Sequence, residues 1–204
     1  MTQWVENPTG GRDRGPRAIV RAWLEAVVRP RRFFPVGVAP GDQAPGLVFA
    51  VGVVLVASLL RLALAGETVF GTPYPTFGGR RVLSVVLVLA LLASLVAPLV
   101  LHLVAAVQTL LLLAFAPDRA GVSETVQVIG YATAPCVFVG VPSPFVVALA
   151  AGYGTALLAI GTAEIHRLSL VRAAALSAIP AAIVFGLGFG GFDALETLLW
   201  TRGI

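Results

Sequence analysis

Residues 82–115 read VLSVVLVLALLASLVAPLVLHLVAAVQTLLLLAF, and the stretch holds no acidic or basic residue. Four further, largely apolar segments lie at residues 44–65, 124–141, 144–163 and 173–192. A hydrocarbon core about 30 Å thick needs roughly 20 apolar residues to be crossed as a helix. Only helices and closed barrels satisfy every backbone polar group in lipid. The sequence therefore predicts an all-α integral membrane bundle of about five transmembrane helices, with an N-terminal amphipathic interfacial helix.

Composition supports this prediction. The chain has 204 residues, of which 58% are hydrophobic and only 12% are charged, whereas a soluble domain is about a quarter charged. This length leaves no room for a separate soluble domain beside the bundle. The single cysteine, Cys136, excludes an intramolecular disulfide and a cysteine-built metal site.

Before the first apolar segment, the chain divides into two parts. Residues 1–15 are polar and are predicted to be disordered. Residues 16–43 form a predicted cytoplasmic amphipathic arm, because apolar residues recur there at helical spacing between Pro16 and Pro30. This helix can lie in the headgroup plane or pack on the cytoplasmic end of the bundle. The two positions are not exclusive, and amphipathicity alone does not separate them. The membrane domain is predicted to cover residues 44–204.

The second apolar segment is too long for one simple crossing, at about 51 Å as a helix. We expect one helix that crosses the membrane over residues 82–104, is kinked near Pro98, and reaches the inner interface near His102. Its extension to residue 115 must lie on the membrane or be covered by protein, for which the arm helix is one candidate. A model in which the segment crosses twice, giving six spans, stays open.

The third and fifth segments contain residues expected to act in helix packing. Pro135 cannot donate a backbone hydrogen bond and so frees the carbonyl of Tyr131, which we expect neighbouring hydroxyls or water to satisfy. The Tyr131 ring is expected at a helix contact. Gly186 and Gly190 form a GxxxG pair, which predicts close internal helix packing or, alternatively, a dimer contact.

Few residues indicate chemistry. Glu164 and His166 point about 200° apart on a helix, so they cannot easily share a metal ion, even if His102 joined one of them. The sequence lacks the common hydrolase and phosphate-binding motifs and has no carboxylate deep in a span. We therefore expect no enzymatic activity, no cofactor, no metal and no nucleic-acid partner.

The predicted topology brings the arm, the inner end of the second helix and the loop between spans four and five to one cytoplasmic face. This face is a candidate surface for docking anionic headgroups or a membrane or cytoplasmic protein partner. Alternatively, its arginines only fix the orientation of the protein. The oligomeric state stays open. The candidate residues are Trp23, Arg29, Arg31, Arg32, Phe33, His102, Glu164, His166, Arg167 and Arg172.

Several short motifs also occur in a characteristic order. They are Pro30-Arg-Arg-Phe33-Phe34, Ser123-Glu124, Tyr131-Ala-Thr-Ala-Pro135, Val141-Pro142, Ile160-Gly161, His166-Arg-Leu-Ser169-Leu-Val-Arg172-Ala173 and Pro180. Over about residues 20–190 the chain resembles the Yip family of membrane proteins, which are named as interactors of Ypt/Rab GTPases. All fourteen basic residues are arginine, which indicates a GC-rich genome and a prokaryotic member.

The resemblance implies a five-span bundle with a cytosolic N-terminus and a non-enzymatic role in membrane organisation or trafficking. Eukaryotic members carry longer N-terminal regions with partner motifs, so GTPase binding does not carry over to this short arm. A small-solute permease or channel-like facilitator is the alternative function. A continuous polar path would favour it, and the scattered Thr, Tyr and Gln residues of the spans favour the scaffold.

The distribution of arginine predicts the orientation. With five spans and the N-terminus in the cytoplasm, ten arginines lie inside and four lie outside. Arginine near a span end holds that end in the cytoplasm. We therefore predict a cytoplasmic N-terminus and an external C-terminus.

A single cysteine at position 203 tests this topology. In a Cys136→Ala background, Gly203→Cys should react with a membrane-impermeant thiol reagent added from outside intact cells, because five spans place the C-terminus there. Labelling from the cytoplasmic side alone would rule out the five-span model.

Overall fold

The computed structural model describes residues 15–69 and 71–201. The predicted disorder of residues 1–15 falls, apart from Gly15, outside this described part. The described chain is 80% helical and has no strands. The predicted all-α helical bundle is therefore confirmed.

The arm contains two helices, α1 (Pro16–Val28) and α2 (Pro30–Gly37). The remaining helices are α3 (Ala44–Ala65), α4 (Arg81–Phe115), α5 (Val122–Ala132), a 3₁₀ helix (Ala134–Gly140), α6 (Pro144–His166), α7 (Leu170–Gly188) and α8 (Gly191–Thr201).

Four of these helices, α3, α4, α6 and α7, are long and apolar enough to cross a membrane, with mean hydropathies of 1.8 to 2.8. A fifth candidate span consists of α5 and the 3₁₀ helix, which meet at a bend of 41°. The described chain is thus an integral membrane bundle with four straight candidate spans and one broken one. Because the broken segment is apolar and almost entirely buried, its polar groups must be satisfied by neighbouring parts of the protein.

The second apolar segment forms one continuous helix of 35 residues, so the chain does not turn back within it as a double crossing requires. A π-helical turn at Leu92–Val96 precedes Pro98. Pro98 has no N–H to donate to the carbonyl of Ser94. The wider π-helical turn accommodates this missing bond. It lies about one turn before Pro98, where the sequence analysis expected a kink.

Helix α4 continues past His102 to Phe115, as the expected extension to residue 115 requires. Leu101 lines a cavity together with Ala50 and Thr133, in the middle of the bundle. The fully buried Leu112 contacts Leu176 near the start of α7. One face of the apolar extension is therefore covered by α7, while Leu110, Leu113 and Phe115 on the rest of it are exposed.

The arm packs on the bundle. Ala18, Ala22 and Ala26 recur every fourth residue along α1 and are all buried, while the indole N–H of Trp23 donates to the carbonyl of Ala134 at 2.7 Å. The sequence left open whether α1 lies in the headgroup plane or packs on the bundle. In the structure, one face of α1 packs against the protein. It lies along the side of the broken span, because the bend there leaves a carbonyl that Trp23 can reach.

We name the two ends of the bundle, the arm end and the loop end, after the segments found at each. At the arm end are α2 and the turns at residues 116–121 and 167–169, and at the loop end are residues 66–69, 71–80, 141–143 and 189–190. Helix α3 and the broken span run in the same direction, since Gly46 lies against Gln127 of α5 near the arm end and Gly140 of the 3₁₀ helix lies against Ala57 toward the loop end.

The expected GxxxG pair does not form one helical face. Gly186 packs inside the chain, because a Cβ atom there would lie 2.3 Å from the ring of Phe192. Gly190 has φ +72° and lies beyond Gly188, where α7 ends. The chain turns at Gly190 to begin α8, and this turn separates the two glycines.

The crossing of α3 and α5 provides a matched test of packing. A Cβ atom at Gly46 would lie 2.5 Å from the Cα of Gln127, whereas one at Gly52 on the same helix would meet nothing within 4 Å. Gly46→Ala should destabilise the protein by roughly 1–3 kcal/mol because the backbones must separate. Gly52→Ala should be neutral or stabilising by up to about 1 kcal/mol. Equal effects in denaturant titrations of the purified protein would contradict the close crossing.

Candidate interaction surface at the arm end

Helix α2 has one buried face and one exposed face. Phe33 and Phe34 are buried, and the Phe34 ring lies so close to Gly161 that a Cβ atom there would be 2.7 Å away. Arg31 and Arg32 on the same helix are exposed, as is Arg29 at its start. Because the two phenylalanines fix the inner face, the guanidinium groups point outward. Phe33, which the sequence analysis placed on the surface, is a core residue.

The broken span holds the arm in place through Gln127. Its Oε1 accepts a hydrogen bond from the backbone N–H of Ala39 at 2.8 Å, and its Nε2 donates to the carbonyl of the same residue at 2.7 Å. Gln127 is fully buried. The Gln127 amide thus satisfies both backbone groups of Ala39, as a neighbouring backbone would. The contact holds the segment between α2 and α3 against α5.

Tyr131 lies in an aromatic cluster between the arm and α3. Its ring centroid is 4.9 Å from that of Phe33 and 5.1 Å from that of Phe49, and both contacts are edge-on. The 3₁₀ helix that contains Pro135 begins three residues later. The sequence analysis expected a hydroxyl to satisfy the carbonyl of Tyr131. The Thr133 hydroxyl instead donates to the carbonyl of the preceding residue, Gly130, at 2.7 Å.

His166 joins the end of α6 to the turn at residues 116–121. Its Nδ1 accepts a hydrogen bond from the backbone N–H of Ala120 at 3.2 Å, and its Nε2 lies 3.5 Å from Oγ1 of Thr125. An accepting Nδ1 carries no proton, so the proton of the neutral ring is on Nε2. The side chain is 1% exposed and therefore holds the turn rather than facing a partner.

The two histidines are not brought together. Nδ1 of His102 lies 2.7 Å from the carbonyl of Pro98 in its own helix, in the middle of the bundle. Among residues 15–69 and 71–201, no group of three or more His, Cys, Asp or Glu residues could hold a metal ion.

The turn between α6 and α7 displays two further arginines. Arg167 has φ +55° and is the one non-glycine residue with positive φ in the described chain. The N–H of Leu168 bonds back to the carbonyl of Ala163 at 3.0 Å, which completes a helix-ending motif that normally uses glycine. Arg172 donates to the carbonyl of Phe115, where a cation stabilises the end of α4.

A cavity of about 200 Å³ lies where α2 meets this turn. Arg31 and Glu164 line it with opposite charges, and its surface is mostly polar; Ile160, Leu168 and Leu170 contribute the smaller apolar part. The sequence analysis missed the three apolar residues. Helical spacing could have found one of them, because Ile160 and Glu164 are four residues apart and share a face of α6.

The structure thus divides the ten predicted residues. Trp23, Phe33 and His166 pack inside the protein, and His102 lies toward mid-bundle. The exposed ones at this end, which we call the arm-end surface, are Arg29, Arg31, Arg32, Glu164, Arg167 and Arg172.

Comparison with models of known protein families matches residues 24–192 to the Yip1 domain. The match runs from α1 into α8 and covers most of the chain, so this protein belongs to the Yip1 domain family. The resemblance seen in the sequence is thereby confirmed, and this family is not a known enzyme family. Searches of curated proteins and of solved structures found no match to the chain.

The strained backbone at Arg167 predicts a stabilising substitution. Left-handed backbone costs a non-glycine residue roughly 1–2 kcal/mol, so Arg167→Gly should raise the free energy of unfolding by about 1 kcal/mol. Thermal or denaturant unfolding in detergent checks this. A less stable variant would show that the Arg167 side chain makes a stabilising contact that outweighs the strain.

Proposed function

We propose that this Yip1-family protein is a non-enzymatic membrane scaffold that docks a protein partner at the arm-end surface, which faces the cytoplasm. The cavity shared by Arg31 and Glu164 carries the proposal. It presents two opposite charges in a mostly polar lining with a small apolar part, and complementary charges give a recognition site its specificity.

The charges around the cavity favour an acidic partner segment. Arg29, Arg32 and Arg167 are exposed near it and add positive charge around the single carboxylate of Glu164. Such a field attracts acidic segments and raises their rate of association. The strain at Arg167 is consistent with this role, because strained backbone tends to persist at functional positions.

The orientation is part of the proposal. The arginine distribution supports a cytoplasmic N-terminus and an external C-terminus. In this orientation the arm-end surface meets cytoplasmic proteins and the inner headgroups.

The interior polar groups do not support the permease alternative. Gln108 donates to the hydroxyls of Thr162 and Ser177 at 2.8 and 3.2 Å. Gln127 bonds to Ala39 and to the carbonyl of Ser123. Oε1 of Gln108 is buried without a partner among the described residues, but the two glutamines lie in two separate clusters and do not form one path. The cavity at mid-bundle is lined by apolar residues and one threonine. No observation favours solute transport, so we do not propose it.

Exchanging the charges of Arg31 and Glu164 tests whether these residues recognise a partner or only interact with each other. A photo-crosslinking amino acid at position 168 in the full-length protein reports a partner in the cavity. Arg31→Glu and Glu164→Arg should each lower the yield of one defined adduct about tenfold, since a charge-assisted contact contributes roughly 1.5–3 kcal/mol. The double variant should not regain the adduct, because its polarity no longer matches the partner.

Arg80→Glu is the matched control, because Arg80 is exposed at the loop end, and its adduct yield should equal that of the wild type. Topology is measured in the same samples by cysteine labelling. Restoration of the adduct by the double variant would overturn the proposal, as would single variants that leave it unchanged. Unchanged adducts combined with an inverted topology would show that the arginines act only in orientation.

A further inference from the structure

Two adjoining cavities, one in the middle of the bundle and one at the loop end, differ in character. The first, of about 120 Å³, lies in the middle of the bundle and has an almost wholly apolar lining. The second, of about 500 Å³, lies at the loop end and contains Arg61, Glu67 and Asp193. Val69 and Phe189 line both cavities, so a chamber with charged residues lies next to an apolar groove.

The apolar groove is formed where the helices depart from α geometry. Leu92 and Val96 belong to the π-helical turn of α4, and Val184 and Gly188 belong to the π-helical end of α7. A π-helical turn widens a helix and occurs frequently at functional sites. Val100 and Gly188 on the lining are exposed, so the groove opens sideways toward the membrane.

The chamber holds an arginine with unused hydrogen-bonding capacity. The Arg61 side chain is 15% exposed, and its Nη2 pairs with Oε2 of Glu67 at 2.8 Å. Its Nε is buried and has no acceptor among the described residues. Because this atom is out of reach of a ligand, a phosphate in the chamber would have to bind the part of the Arg61 guanidinium that lines it.

Two carboxylates accompany this cation. Glu67 already pairs with Arg61, and Asp193 lies exposed in the first turn of α8. One guanidinium and two carboxylates complement a ligand that carries both an anionic and a cationic group. A phosphate would lie on Arg61, an ammonium group would lie on Asp193, and a hydrocarbon chain would extend into the groove.

We propose that these cavities form a binding site for an amino-phospholipid of the phosphatidylethanolamine class, with its headgroup in the chamber and part of one acyl chain in the groove. The charge pattern selects the headgroup, because a glycerol headgroup offers no ammonium group to Asp193. The site lies at the opposite end of the bundle from the arm-end surface and is independent of partner docking.

The test uses the full-length protein reconstituted in bilayer discs of equal parts phosphatidylethanolamine and phosphatidylglycerol, and it counts retained lipids by native mass spectrometry. The wild type should retain phosphatidylethanolamine in preference. Asp193→Asn should lower that retention about tenfold, to the level of phosphatidylglycerol, because it removes one charge-assisted contact. Equal retention of both lipids by the wild type would overturn the proposal.

Two variants of α4 test the groove. Ala97→Phe fills it, because Ala97 is part of its lining, and should reduce phosphatidylethanolamine retention. Ala90→Phe on the same helix is the matched control, because Ala90 is exposed and not part of the lining, and should behave as the wild type. Equal retention by the two variants would contradict the acyl-chain site.

Two further measurements keep the proposal falsifiable if Ala97→Phe does not fold. A phosphatidylethanolamine with a photoreactive acyl chain should modify Leu92, Val96 or Val184 of the wild type, and adducts confined to other residues would overturn the site. Glycerophosphoethanolamine, which has the headgroup without acyl chains, should compete poorly with the lipid. Competition equal to that of the lipid would show that the groove contributes nothing.

Discussion

The structure depends on how the broken span satisfies its backbone. Lipid offers no hydrogen bonds, so every polar group of a bent span must find a partner within the protein. Here the arm provides those partners. Trp23 donates to the carbonyl of Ala134, and Gln127 uses both ends of its amide on Ala39. The arm is therefore part of the folded bundle and not an appendage beside it.

This coupling determines what the arm displays. Phe33, Phe34 and Tyr131 fill the space between α2, α3 and α5, which fixes the rotation of α2 and turns its arginines outward. The Tyr153 hydroxyl also donates to the carbonyl of Val27, which holds α1 from the side of α6. Each such hydrogen bond contributes about 1 kcal/mol. The arm-end surface is thus held in one arrangement before any partner arrives.

Hydropathy alone predicted the architecture, because the apolar segments are long and the second contains no polar turn. The sequence could not place His102, since a helix of 35 residues can slide along the membrane normal until its neighbours fix it, and here the packing of Leu112 does so. Amphipathicity identified α1 but not its partner, because lipid and protein are equally apolar. Phe33 and Gly190 were misplaced for a related reason: whether a residue faces inward, or still belongs to a helix, depends on contacts distant in sequence.

The central claim is that Gln127 couples the arm to the broken span. Hydrogen–deuterium exchange of the arm peptide covering residues 30–40 in Gln127→Leu, compared with the wild type under conditions where both remain folded, tests this claim most directly. The account predicts that the amide of Ala39 and the end of α2 lose protection while α3 and α6 keep theirs. Unchanged protection of the arm would show that it is held without this contact and would contradict the account.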